Sequence, residues 1–186
     1  MNNTFESERL YLRALEPEDH LTIHAWRRDP GYQAGVLSTK RMTSLETEKR
    51  WIERAIAEHE EGKTLRFAIV TKELESFIGL VFLTGIDHMH RRAGFGSWIG
   101  EREQRGKGYV TEARHLLVRY AFEELGLRRI EARILASNDS SIRSVEKFGY
   151  KKEGVLRDHT YKNGKANDVV LFSILQKDYH KMHIEK

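Results

Sequence analysis

The run Arg105-Gly106-Lys107-Gly108-Tyr109-Val110-Thr111-Glu112-Ala113 decides how this 186-residue chain is read, because it joins a strand-like stretch at residues 95–99 to an amphipathic helix. Two glycines let the backbone come close to a ligand, and the helix behind them offers unpaired N–H groups at the positive end of its dipole. Such a junction binds anions, and a diphosphate is its natural guest. Two familiar glycine motifs do not fit it. A phosphate loop of the form G-x-x-x-x-G-K-[ST] fails because five residues separate Gly100 from Gly106, and Gly108 stands where a magnesium-binding hydroxyl belongs. The dinucleotide fingerprint G-x-G-x-x-G fails at its third glycine, since Gly94 and Gly96 are followed by Ile99.

Working outward, residues 9–15 alternate apolar and polar as a strand does, and Pro17, Glu18 and Asp19 open a helix carrying Leu21, Ile23 and Trp26 to Pro30. Ser44 begins a second helix, with Trp51, Ile52, Ala55 and Ile56 on it and Gly62 closing it. Strands are expected at 65–71, 76–86 and 92–99, then a helix over 107–125 with Val110, Ala113, Leu117, Ala121 and Leu125 on one face. A strand at 129–135 leads to a short helix capped by Asn138 or Asp139 and ended by Gly149. The chain closes in a hairpin, 150–161 with 167–175, around Asn163-Gly164, the dipeptide of a type I′ turn. This order predicts an α+β fold with a mixed sheet, in one domain over residues 1–186.

Composition narrows the function. With 32 Lys and Arg against 28 Asp and Glu, the net charge of +4 is small and spread along the chain. A nucleic-acid binder gathers its cations on one face, whereas the nearest cluster here, Arg102, Arg105 and Lys107, flanks the glycine loop. Cys is absent, which excludes disulfides, thiolate metal sites and a cysteine nucleophile and fits a reducing cytoplasm. The first twenty residues hold Glu6, Glu8, Glu16, Glu18 and Asp19 and no apolar run, so neither a secretory signal nor a membrane span is expected. Nine His give no pair with a carboxylate at metal-binding spacing, and no metal is assigned.

Four ordered motifs carry a resemblance: Glu8-Arg9-Leu10-Tyr11-Leu12-Arg13; the glycine run from Gly106 to Ala113; Asn138-Asp139-Ser140-Ser141; and Glu146-Lys147-Phe148-Gly149-Tyr150-Lys151-Lys152-Glu153-Gly154. Together they resemble the GNAT superfamily of acyl-CoA-dependent N-acyltransferases, in the branch of ribosomal-protein N-terminal acetyltransferases and spermidine N-acetyltransferases. The pyrophosphate motif [QR]-x-x-G-x-[GA] reads Glu103-Gln104-Arg105-Gly106-Lys107-Gly108, with Glu103 in place of the leading Gln or Arg. The resemblance implies about seven strands with a splayed centre, about four helices, and acetyl-CoA as acyl donor. The diphosphate would rest on Arg105, Gly106, Lys107, Gly108, Tyr109, Val110 and Thr111. The pantetheine arm would lie beside Trp98, Ile99 and Gly100, within reach of Asn138. The partner is an amine acceptor, a peptide N-terminus or a small molecule, with neither nucleic acid nor membrane; a homodimer is allowed.

Acyl transfer from a thioester needs a neutral amine, a stabilised oxyanion and a departing thiolate. The tyrosine that spermidine-type relatives place near the Gly-Phe motif falls here on Val145, so the resemblance points to Ser141 as hydrogen-bond donor to the leaving sulfur. Many relatives carry an acidic base early in the fourth strand, where this chain has Gly94. Glu103 is the substitute base in this reading, with Asp87, His88 and His90 as another group. An amine of pKa about 10.4 costs about 4–5 kcal/mol to deprotonate at neutral pH, an α-amine about 1 kcal/mol. Weak base machinery therefore favours a protein or peptide α-amine. The alternative acceptor is a polyamine, amino sugar or aminoglycoside; a non-catalytic basic nucleic-acid-binding module is the reading from another class.

Overall fold

The computed structural model describes residues 5–31, 36–37 and 42–183. In chain order the elements are β1 (Leu10–Ala14), α1 (Asp19–Arg27), α2 (Leu45–Glu60), β2 (Thr64–Thr71), β3 (Ser76–Asp87), β4 (Arg92–Ile99), a short 3-10 turn (Arg102–Gln104), α3 (Tyr109–Glu123), β5 (Arg129–Leu135), α4 (Asp139–Phe148), β6 (Lys151–Lys162), β7 (Lys165–Leu175) and α5 (Gln176–His183). The strands form one seven-stranded sheet in the order β1-β2-β3-β4-β5-β7-β6. Every neighbouring pair is antiparallel except β4 and β5, which run parallel. A parallel pair needs a crossover, and α3 supplies it.

Apolar alternation assigns the two faces. On β2, Leu65, Phe67 and Ile69 join the larger core with α3, α4 and Tyr179 of α5. Ala68 and Val70 point the other way, with Leu80, against Ile23 and Trp26 of α1 and Ile52 and Ala55 of α2. Burial on both faces explains the unbroken apolar run in β2. Asn163 and Gly164 have φ of 54° and 75°, as the expected tight turn between β6 and β7 requires. Ser44 caps α2 through its hydroxyl on the Thr47 N–H, and Asn138 caps α4 through the Ser141 N–H.

Three expectations shift. The first helix ends at Arg27 rather than Pro30, and Leu21 is exposed, since only Ile23 and Trp26 reach the sheet. α3 starts two residues later than expected, because Gly108 takes a left-handed conformation at its N-cap. A fifth helix, α5, follows β7; it has a single buried anchor, Tyr179, which gives apolar periodicity nothing to detect. No described helix is long and apolar enough to cross a membrane.

The C-terminal half is tied by a polar bridge across three strands. Arg129 of β5 donates to both carboxylate oxygens of Glu153 on β6, at 2.7 and 2.5 Å, and Ser173 of β7 donates to the same carboxylate at 2.6 Å. Arg129, with Ser173, holds the Glu153 carboxyl down to about 2, against a smaller upward push from burial. A depressed carboxyl stabilises the fold above its unfolded pKa and loses that stabilisation as pH falls through the folded value. Glu153→Gln should therefore lower the melting temperature at pH 7, by the equivalent of about 1 kcal/mol for a partly exposed pair. Thermal melts at stepped pH should show the gap between variant and parent closing as pH drops from about 5 towards 2; a constant gap would deny the bridge its part.

Candidate active site

The parallel pairing of β4 and β5 lasts only from Arg92↔Arg129 to Phe95↔Ala132. Beyond it the strands part: β4 stays on β3 as far as Gly79↔Ile99, and β5 stays on β7 as far as Leu135↔Val169. Between them opens a cleft of about 1330 Å³, floored by Gly96, Ser97, Trp98 and Ile99 on one side and Arg133, Ile134 and Leu135 on the other. Its far wall is α4 with the turn before it, contributing Asn138, Ser140, Ser141, Ser144 and Val145. This is the splayed centre that the family resemblance implies.

At the mouth, Gly106 and Gly108 take φ of 77° and 86°, a left-handed backbone that glycine adopts without strain. The Thr111 and Glu112 N–H groups turn back onto the Gly108 carbonyl, which leaves the amides between Gly106 and Val110 without an acceptor among the described residues. Arg9 fixes the turn from outside, donating to the Lys107 carbonyl at 3.1 Å and to Glu112 at 2.8 Å, while its guanidinium lies 4.8 Å from the Tyr109 ring centre. Burial would raise the Glu112 carboxyl, but the Ser7 hydroxyl and the Arg9 donors outweigh it and hold the group below the usual range.

Of the residues expected to bind cofactor, Trp98, Ile99, Arg105, Gly106, Gly108, Tyr109, Val110, Thr111 and Asn138 line the cleft. Gly100 and Lys107 do not. Gly100 is packed under Trp26, where an added Cβ would come within 1.9 Å of the indole, and its N–H bonds Ile78. Lys107 reaches back to Gln104. The Arg105 side chain is a clamp, donating to the Ile99 carbonyl at 3.1 Å, to the Gly100 carbonyl at 2.7 Å and to Asp29 at 2.7 Å.

Ser141 lines the cleft one turn into α4, and its own N–H rests on Asn138. Glu103 sits exposed on the 3-10 turn, outside the cleft wall. Asp87 lines the opposite end, where the His90 amide and nearby Arg92 keep its carboxyl below the usual range. Gly94 cannot carry the missing carboxylate without rearrangement, because a Cβ there would meet the Thr84 hydroxyl at 2.9 Å. Glu131, opposite Gly94 in register, does line the cleft, but Arg129 pairs with it at 2.9 Å.

Arg114 was not expected. It is 3% exposed, lines the cleft from α3, and donates to the Ser144 carbonyl at 3.0 Å and hydroxyl at 3.2 Å. Its guanidinium lies 5.5 Å from the Phe95 ring centre and 5.2 Å from that of Phe148, and no carboxylate pairs with it among the described residues. Nothing in sequence periodicity marks an arginine as buried.

The comparisons agree with this architecture. Residues 9–151 match the model of the acetyltransferase (GNAT) domain. An uncharacterized N-acetyltransferase named p20 from Bacillus licheniformis is 34% identical over 176 residues, covering 95% of this chain and 98% of its own. The putative ribosomal N-acetyltransferase YdaF of Bacillus subtilis is 38% identical over 104 residues, 56% of each chain. The crystal structure of spermidine N-acetyltransferase from Vibrio cholerae, in complex with CoA and spermine, superposes with a TM-score of 0.81 at 28% identity, covering 91% of this chain and 97% of that one. With its parted strands, its glycine turn and this family match over most of its length, the chain belongs to the GNAT acetyltransferases and is an acetyl-CoA-dependent N-acetyltransferase.

Proposed function

We propose that the chain acts as one N-acetyltransferase domain over residues 1–186 and transfers acetyl directly from acetyl-CoA to the α-amine of a protein or peptide. The cofactor reading rests chiefly on one observation, the free amides of the glycine turn opening into the gap between β4 and β5. In this reading the diphosphate takes the amides of the turn, and the pantetheine arm runs along the free edge of β4 past Ile99 and Trp98. Asn138 flanks the arm, and Ser141 donates a hydrogen bond to the leaving sulfur. The amine nitrogen attacks the thioester carbon, the C–S bond breaks, and CoA leaves without a covalent acyl-enzyme.

The acceptor reading rests on charge and proton cost. Each carboxylate near Gly94 is already matched by an arginine, Asp87 by Arg92 and Glu131 by Arg129, and Arg133 adds a further cation to the cleft wall. A polycation gains little there. With both carboxylates spoken for and Glu103 turned outward, an α-amine, which needs about 1 kcal/mol to deprotonate at neutral pH, suits the site. The second reading, a polyamine acceptor, is supported by the spermidine N-acetyltransferase relatives. Free-thiol release with peptides, spermidine and amino sugars between about pH 6 and 10 decides between them. Peptide α-amines should react at pH 7, and spermidine should need alkaline conditions; efficient spermidine acetylation at pH 7 would reverse the assignment.

Two variants test the cofactor and the donor. Gly108→Asp should weaken acetyl-CoA binding at least tenfold while circular dichroism stays native. Gly108→Asn shares the backbone strain without the charge and should lose much less, so equal losses would point to strain rather than to phosphate repulsion. Ser141→Ala should lower kcat about tenfold with acetyl-CoA affinity kept; an unchanged rate would leave Ser141 as a residue of the helix start alone.

A further inference from the structure

A buried guanidinium without a carboxylate is costly, and the one at position 114 has only hydroxyl, carbonyl and aromatic partners among the described residues. Arg114 is 3% exposed, its NH1 is committed to Ser144, and its Nε has no hydrogen-bond partner among the described residues. The Tyr150 hydroxyl, whose pKa burial raises and Arg114 partly restores, is likewise buried without a partner among the described residues. The Arg114 guanidinium lies over the rings of Phe95 and Phe148 and lines the cleft. The site is a cation awaiting an anion.

Position along the cleft identifies the anion. The edge of β4 that parts from β5 runs from Ile99 back to Gly96, about 10 Å of extended strand, and closes where β4 and β5 pair at Phe95↔Ala132. An arm anchored by its diphosphate at the glycine turn and laid along that edge brings its thioester to the closed end. Arg114 lies one turn along α3 from Val110, with its guanidinium beside Phe95, at that same end. Negative charge arises there first on the carbonyl oxygen, as the amine attacks, and then on the sulfur: when the tetrahedral intermediate collapses the C–S bond breaks, sulfur keeps the electron pair and leaves as thiolate, and the amine proton goes to solvent.

We propose that Arg114 is the group that receives the CoA thiolate, pairing with the charge that forms when the C–S bond breaks. This rests on the reading of the cleft as the acetyl-CoA site. The neighbouring titratable groups do not compete for the role. Burial, with His183 and Arg114 beside it, presses His115 down to about 4, so it is neutral at pH 7. Glu112 is held by Ser7 and Arg9, and Glu131 by Arg129. Tyr150 is neutral. Ser141 and Ser144 contribute hydroxyl dipoles from α4; Arg133 lines the cleft from β5 but is exposed to solvent, so the buried charge is that of Arg114.

The test is the titration of the bound thiol. Ultraviolet absorbance of the thiolate, followed across pH in the binary complex of the intact protein with CoA, should show the bound thiol ionising about one pH unit or more below free CoA. Arg114→Met, apolar and of similar length, should bring it back to or above the free value, and Arg114→Lys should keep much of the depression. Acetyl-CoA affinity should stay within about threefold in both variants, while kcat for Arg114→Met falls about ten- to a hundredfold. A bound thiol that titrates like free CoA in the parent protein overturns the proposal without needing any variant to fold. Equal loss of affinity for CoA and desulfo-CoA in Arg114→Met also overturns it, by making Arg114 an anchor for the arm. Failure of the parent protein to bind CoA at all would instead sink the cofactor reading.

Discussion

The gap between β4 and β5 is the constraint on which the rest of the structure turns, and it is held open from both sides. β5 remains on β7 along its full length, so it cannot follow β4. β4 is drawn the other way at its end: Trp98 packs edge-on against Trp26, with ring centres 5.3 Å apart, and Gly100 slips beneath the same indole. Arg105 locks the result by bonding two carbonyls of the departing strand and Asp29 beyond α1. The helix packing of the N-terminal half therefore sets the width of a cleft whose chemistry lies on the other half. Strand edges exposed this way leave backbone donors and acceptors that must find partners, and a ligand arm with amides of its own meets that need as a strand would.

The same crossover produces the anion site. A parallel pair forces a helix between its strands, and that helix begins where β4 ends, so its free N–H groups fall at the open mouth of the gap. Gly108 as N-cap supplies no side-chain oxygen to occupy those groups, unlike Ser44 on α2 and Asn138 on α4. The missing cap is what leaves the first turn available to phosphate. Ser7, Arg9 and Glu112 then hold the turn in place without touching its inner amides.

Features that repeat a local rule were legible in the sequence. The Asn163-Gly164 turn, the Ser44 and Asn138 caps, the alternation of β1 and the glycine junction each depend on neighbours a few residues away, and each stands where the pattern puts it. What could not be read depends on distant partners. Gly100, expected beside the pantetheine arm, is packed under Trp26, seventy-odd residues earlier. Arg105 looked like a phosphate ligand and is bound to Asp29. Glu103 follows the strand closely, yet it sits exposed on the 3-10 turn and does not line the cleft. Arg114 was hidden for the opposite reason: a cation in a helix is read as solvated, and only the meeting of α3, α4 and Phe95 shows it enclosed.

Charge in the cleft follows a consistent plan. Near Gly94 two cations are matched by carboxylates, Arg92 by Asp87 and Arg129 by Glu131; at the mouth Arg9 is matched by Glu112 and Arg105 by Asp29; Arg133 on the wall is exposed to solvent. Arg114, at the closed end, has only neutral hydroxyl, carbonyl and aromatic neighbours. An ion pair would have made that arginine cheaper to bury, but it would also have spent the positive potential before turnover. Left unpaired in low-dielectric surroundings, the guanidinium interacts most strongly with whatever negative charge arises next to it. A buried cation that destabilises the resting protein and gains its partner only as the thioester breaks is thus a means of favouring the transition state over the bound substrate.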